Sequence, residues 1–289
     1  MTDKTLRAAG TPWLLSLPAL ALFLGLLVVP LALTAILSFN VFDGMRGVQP
    51  DYTLGSYIEI LSDGYYHELF LRTGAMSLGV TLICIIVGVP ETLILAKMRP
   101  AWQGTFFVVI LGPLLISVVV RTLGWSILLG RQGMVNSTLL SLGLIDRPTQ
   151  LMFTMTGVII VLTHVLMPFM IIAVWTAMQK LDGQVAHAAR SLGAGPGTTF
   201  RRIILPQLMP GILSGAIIVF TLAASAFATP AIIGGRRVKV VTTAIYDEFL
   251  SSLNWPLGAA IAMLLLLGIV FVVIGSNRFV ERRFKQVFA

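Results

Sequence analysis

The chain is 289 residues long, 57% hydrophobic and only 11% charged, with a mean hydropathy of +0.93. Soluble domains carry about 25% charged residues, so this composition excludes a water-soluble globule, which would expose too much apolar surface. The formal net charge of +8 falls in short clusters between apolar runs and not along one face, which argues against a nucleic-acid partner.

Residues 1–12, with Lys4 and Arg7, read as a short cytoplasmic end. Six apolar runs follow, near 13–38, 74–97, 104–129, 154–178, 212–235 and 256–277, and residues 279–289 form a basic tail. Each run is long enough for the roughly 20 helical residues that cross a hydrocarbon core. The expected fold is therefore an all-α membrane protein with six transmembrane helices. No small-residue exit site follows the first run, so it reads as a retained anchor. Gly, Pro and rare polar residues break the runs, which membrane helices tolerate.

An even number of spans puts both termini on one side, and the positive-inside rule chooses it. With cytoplasmic termini, 12 Lys and Arg lie inside against 7 outside, and Arg121 lies within a span. Eight acids, including Asp247 and Glu248, then lie outside against three inside. The outer loop 39–73 carries acids, aromatics and turn residues, and a short surface or re-entrant helix is expected around Leu54–Leu61. Residues 130–153 contain the turn-like GRQGMVN and IDRP.

The segment 179–211 thereby receives a cytoplasmic address. Val185, Ala188, Ala189 and Leu192 form the i, i+3, i+4, i+7 stripe of one helix face, with Gln184, His187 and Ser191 opposite. Gly193, Gly195, Pro196 and Gly197 stop that helix. Thr198 or Thr199 is placed to cap a second one through Phe200–Ile204, and Leu205-Pro206 is expected to interrupt it before the fifth span. Taken alone, such a stripe also suits an amphipathic helix resting on the lipid surface.

The spacing His187-Ala188-Ala189, Gly193, Ile203, Leu205-Pro206 resembles the EAA loop of ATP-binding-cassette importer permeases, except that the usual Glu is His187. The resemblance implies a type I importer permease fold, in which this loop docks in a cleft of a separate ATPase and passes its closure to the spans. Val185, His187, Ala188, Ala189, Leu192, Gly193, Ile203, Leu205 and Pro206 are the coupling residues it implies. PLLISVVVRTLGWSILL (113–129), GRQGMVNSTLLSLGLID (130–146) and FATPAIIGGRRVKVVTTAIYDEFLSSLNWPLGAA (227–260) resemble spermidine/putrescine-type permeases. Relatives handling opines, iron(III) or other small solutes share much of this vocabulary. The resemblance also implies the partners: a homologous permease subunit as a heterodimer, two ATPase subunits that bind ATP and Mg, and an external solute-binding protein. The implied location is the bacterial inner membrane.

Four residues stand out as possible solute contacts. Asp247 and Glu248, near Tyr246, Phe249 and Trp255, suit an ammonium group through charge and cation–π attraction, or are solvated loop acids. Arg121 in the third span reads as a structural or gating group, or as part of the pathway. Glu91, after Pro90 in the second span, would pair with Lys97 or a neighbouring subunit, or line the pathway. His164, beside Pro168, reads as a packing histidine, and Trp125 and Trp255 as interfacial anchors.

Catalytic machinery is not expected. No Gly-x4-Gly-Lys-Ser/Thr stretch is present to cradle ATP phosphates, and GAGPG lacks the following Lys. His67, His164 and His187 have no metal-ligand spacing, and the one cysteine, Cys84, lies in an apolar run, so no intrachain disulfide forms. A signalling scaffold or an intramembrane enzyme is the competing class, and the enzyme would need paired acids or a Ser/Lys dyad within spans.

Overall fold

The computed structural model describes residues 11–181, 185, 189 and 191–288, with side chains described over 16–181, 185, 189 and 191–278. Its contacts form two units, one of residues up to Gly64 with Ile245–Leu264, the other of Tyr65–Ala244 with the residues from Leu265 onward.

In the first unit, α1 (Thr11–Leu37) is a continuous apolar helix despite Pro18 and Pro30. A hairpin that the all-α expectation omits follows it: β1 (Asn40–Asp43) pairs antiparallel with β2 (Gly47–Tyr52). Its turn is set by Asp43, whose Oδ1 accepts from the Met45 and Arg46 amides at 2.8 and 3.0 Å. These donors hold the Asp43 carboxyl below its ordinary range. The surface helix expected around Leu54–Leu61 is α2 (Gly55–Ser62). The Ser38 and Tyr57 hydroxyls lie 2.7 Å apart and tie the end of α1 to α2.

In the second unit the core is built around α7 (Met155–Met178), with α3 (Gly64–Ala96) and α8 (Leu205–Ala224) against it. Small residues set these approaches. A side chain at Gly88 would lie 3.0 Å from Met167 Sδ, and one at Gly215 would lie 2.8 Å from Met170 Sδ. At Gly211 it would overlap the Ala177 methyl. The Gly211-x-x-x-Gly215 pair thus lets α8 approach α7 closely, and dispersion between packed helices replaces the hydrophobic drive that lipid does not supply. Thr73, Ser77 and Thr81 are buried in α3, and each donates its hydroxyl to the carbonyl four residues earlier at 2.7–2.8 Å. Burial without that bond would cost several kcal/mol, on the order of 2–7.

Three sequence expectations are corrected by the path of the chain. The run 104–129 is not one straight helix: α4 (Pro100–Leu111), a 3-10 turn (Gly112–Leu115) and α5 (Val118–Leu129) follow one another. The helical segments before and after the break at 116–117 are bent by 101°. Pro113 has no N–H to donate, and Ile116 and Ser117 take extended ψ angles of 137° and 134°. A short α6 (Met134–Ser141) lies beyond it.

The second correction concerns Leu205-Pro206, which does not interrupt the chain. Helical structure runs from Pro196 to Ala224, and a π-helical turn over Phe200–Ile204 absorbs the proline. Leu205 N–H reaches back five residues to Phe200 O, a register shift that accommodates a residue unable to donate. Nor does a threonine cap this stretch. Gly195 precedes Pro196 at its start, and Thr199 is buried inside with its hydroxyl donating to Gly195 O at 3.1 Å.

The third correction is the end of the fifth span. α8 stops at Ala224, and Pro230–Gly234 forms a separate π-helical turn. α9 (Val241–Leu250) and the 34-residue α10 (Trp255–Phe288) complete the chain. Among the described residues, five helices are long and apolar enough to cross a bilayer, and six spans result when the bent pair is counted as one.

Candidate functional site

Two groups of residues carry the functional reading. The first is the segment between α7 and α8. Gly193 adopts φ +82°, and the Ala194 N–H closes onto Ala189 O at 3.0 Å. A left-handed residue at C′ with a 6→1 bond behind it is the Schellman termination of a helix, and it occurs at the glycine singled out by spacing. Val185 and Leu192 are exposed at 42% and 89%, whereas Ala189 is 8% exposed. The four-residue stripe is therefore not one open face: its two large members point outward and Ala189 packs inward. His187 and Ala188 lie outside the described residues. Ile203 belongs to the π turn, and Leu205 and Pro206 start α8.

The second group comprises the charged residues. Glu248 Oε2 accepts from Ser252 Oγ at 2.7 Å, and the Asp247 carbonyl accepts from the Ser251 and Ser252 amides at 2.8 and 3.0 Å. Trp255 Nε1 donates to Phe249 O at 3.2 Å, so this indole folds back on its own loop. Glu59 of α2 is part of the same neighbourhood. Partial burial and the charges of Glu248 and Asp63 push its carboxyl above the ordinary range. Sequence reasoning missed Glu59 and Asp63, because nearly two hundred residues separate them from Glu248 and no spacing rule links such positions.

Arg121 sits in the first turn of α5 with its N–H on Ser117 O at 3.0 Å. Its Nε and Nη1 are buried and have no hydrogen-bond partner among the described residues. One turn on, Trp125 Nε1 donates to His164 Nδ1 at 3.1 Å, with the rings edge to face at 5.2 Å. Trp125 is thus a helix-to-helix contact as well as an aromatic in a span, and His164 is its acceptor. Glu91 is half-buried on a cavity of about 410 Å3 walled by Ile86, Val87, Pro90, Ile94 and Phe106 among others. Glu91 and Lys97 are not joined by an ion pair, whereas Arg72 and Glu68 are. No cluster of three metal-ligating side chains occurs among the described residues. Glu59, Asp63 and Glu248 form one neighbourhood on the first unit, with Asp247 beside Glu248 in the chain, while Arg121 and Glu91 stand on separate helices of the second.

Comparison with known proteins decides the family. Residues 8–286 match the binding-protein-dependent transport system inner membrane component. The chain belongs to that family. It is a multi-pass inner-membrane permease and the non-catalytic subunit of an ATP-driven importer, whose ATPase is a separate chain. This permease is 31% identical over 258 residues to the spermidine/putrescine transport system permease protein PotB of Haemophilus influenzae, covering 88% of this chain and 90% of that one. It is 35% identical over 238 residues to PotB of Escherichia coli, covering 82% and 86%. The molybdenum transport system permease protein ModB of Mycobacterium bovis is 31% identical over 209 residues, covering 72% and 76%.

Among solved structures, the permease resembles a chain of a bacterial ABC transporter that imports the acidic polysaccharide alginate. The TM-score is 0.78 at 18% identity, over 96% of this chain and 99% of that one. A chain of the MetNI methionine transporter matches with a TM-score of 0.57 at 19% identity, over 73% and 93%. These likenesses establish the fold of an importer permease.

Proposed function

We propose that this permease is one half of a heterodimeric pore for a polyamine such as putrescine or spermidine, driven by two ATPase subunits that bind ATP and Mg. The reading is carried by the similarity to two PotB proteins along most of both chains. The neighbourhood of Glu59, Asp63 and Glu248 supports it, because concentrated negative charge at a pore mouth draws in cations. An external binding protein delivers the solute to this side. Both termini are cytoplasmic in this reading, and Val185 and Leu192 are the exposed anchors that enter the ATPase cleft, with Gly193 fixing the helix end behind them.

The competing reading keeps the permease role but changes the solute. Similarity to a molybdenum transport system permease shows that polyamine permeases are not the sole relatives at this level of identity. An anion is the solute class that would contrast most with a polyamine. Arg236 and Arg237 are exposed and basic; in the polyamine reading they contact acids on the binding protein. Reconstitution of the complete transporter with its binding protein, followed by uptake of labelled putrescine and spermidine, tests the solute. ATP-dependent uptake of either polyamine is expected. Uptake of an anion with neither polyamine taken up would overturn the solute assignment and leave the family untouched.

A further inference from the structure

The cavity beside Glu91 is walled by one face of α3 and one of α4, with Val87, Glu91 and Ile94 on the first and Phe106 on the second. Its volume is about 410 Å3. Along α3 it runs from Ile86 to Met98, which is ~18 Å of helix at about 1.5 Å per residue. Among the described lining residues Glu91 alone is charged, and no other side chain there carries an N–H or O–H donor.

Such a wall asks for a cation. No hydrogen bond or ion pair holds the Glu91 carboxylate among the described residues. Lys97 and Arg99, the nearest cations along the chain, are exposed and do not line the cavity. A second acceptor stands one turn away: Pro90 lies inside α3 and has no N–H, so the Ile86 carbonyl lacks the donor that a helix normally supplies. A carboxylate at membrane depth is costly unless it is paired or faces a cavity. A hard metal ion takes about six or more oxygen ligands, whereas this wall offers two acceptor groups and is otherwise apolar. An ammonium group on an aliphatic stem fits both parts, and the Phe106 ring adds a surface that attracts cations.

We propose that this cavity holds one ammonium group of an elongated aliphatic polyamine in transit, an assignment that rests on the polyamine reading above. The protonated amine donates to the Glu91 carboxylate and to the Ile86 carbonyl, and the methylene stem lies along Val87, Ile94 and Phe106. An ammonium has three N–H donors, so one is left for water, and the cation is held without being enclosed. An anion finds no donor side chain in this wall.

The test uses the complete transporter in proteoliposomes, with saturating binding protein and labelled spermidine. Glu91→Gln removes the charge at nearly constant volume. Uptake is expected to fall about tenfold, the loss of roughly one charge-assisted bond, while all subunits still co-purify. Glu91→Asp keeps the charge and is expected to transport clearly faster than Glu91→Gln. Unchanged uptake in Glu91→Gln overturns the proposal, and so do equal losses in the two variants, since the charge would then not be what the solute meets. Loss of co-purification in Glu91→Gln also overturns it, because the carboxylate would then pair with a basic group of another subunit. Failure of the unmodified transporter to take up any polyamine would reject the solute reading, and with it the ligand assigned to the cavity.

Discussion

Ala194 donates its N–H to the carbonyl of Ala189 at 3.0 Å, and Gly193 between them sits at φ +82°. Among the described residues other than its two chain neighbours, no atom lies within 4 Å of where a Gly193 side chain would begin, so the backbone is where a substitution there acts. An L residue in the left-handed region costs roughly 1–2 kcal/mol, and more for a β-branched one. Gly193→Val is therefore expected to loosen the helix end and lower both ATPase co-purification and uptake. Gly193→Asn, which tolerates this region, should be milder. His187→Glu restores the family acid and is expected to keep at least partial function. The opposite order of severity would mean that the imidazole carries the contact and the hinge is incidental.

The unequal exposure along the stripe separates docking from packing. Val185 and Leu192 are exposed, so Val185→Asp or Leu192→Asp should leave expression and thermal stability of the permease intact. ATPase co-purification should fall if these are the anchors, since a charge in a buried apolar contact is unpaired. Ala189→Asp places its charge in the permease's own interior and is expected to lower thermal stability as well. Normal assembly and transport with Leu192→Asp would remove this helix end from the docking surface.

Close approach of α7 and α8 makes Gly211 a stability position. A side chain there would overlap the Ala177 methyl and lie 3.0 Å from Ala173 O. Gly211→Val is expected to destabilise by about 1–3 kcal/mol through overpacking, seen as a lower unfolding temperature in detergent. Gly74→Ala is the control, since among the described residues outside its own helical turn nothing lies within 4 Å of its new carbon, and it should not destabilise.

Much of this fold was legible because membrane spans announce themselves by length and hydropathy, as α1, α7 and α10 do. The left-handed Gly193 was legible for a similar reason: Gly-x-Gly-Pro after an apolar stripe leaves a helix few ways to end. The bend at Pro113 and the π turn before Pro206 were not. A proline can be bridged or can break the chain, and the outcome depends on which neighbours re-satisfy the freed carbonyls. The inward turn of Ala189 was hidden because periodicity defines a face without saying what already covers it. Glu59 beside Glu248 is a tertiary juxtaposition, invisible to any local pattern.

The topology follows from the distribution of Lys and Arg and is open to chemical labelling. With both termini cytoplasmic, a cysteine placed at the exposed position 51 or 237 in a background with Cys84→Ala should react with an impermeant external reagent; position 240 is buried and would not report. Cysteines at 5 and 285 should react only after the membrane is opened. External labelling at 285 would reverse the orientation and put the coupling segment on the wrong side for an ATPase.

The outer acids give the solute reading a pH signature. Partial burial, Glu248 and Asp63 raise the Glu59 carboxyl above its ordinary range, so on acidification Glu59 takes up a proton before an isolated carboxylate does. Between the ordinary and the raised value the folded state binds more protons than the unfolded one, and this group's contribution to stability falls as pH rises through that window. Cation attraction runs the other way, strongest when the cluster is fully ionised. Polyamine uptake is therefore expected to decline on acidification through this window, while the local fold loses none of its stability from Glu59. Glu59→Gln should flatten that part of the profile. Asp247→Asn with Glu248→Gln should raise the concentration for half-maximal uptake, with less change in assembly. If that double variant transports normally and its pH profile matches the unmodified protein, the acids are solvated loop residues and the cation is recognised elsewhere in the pore.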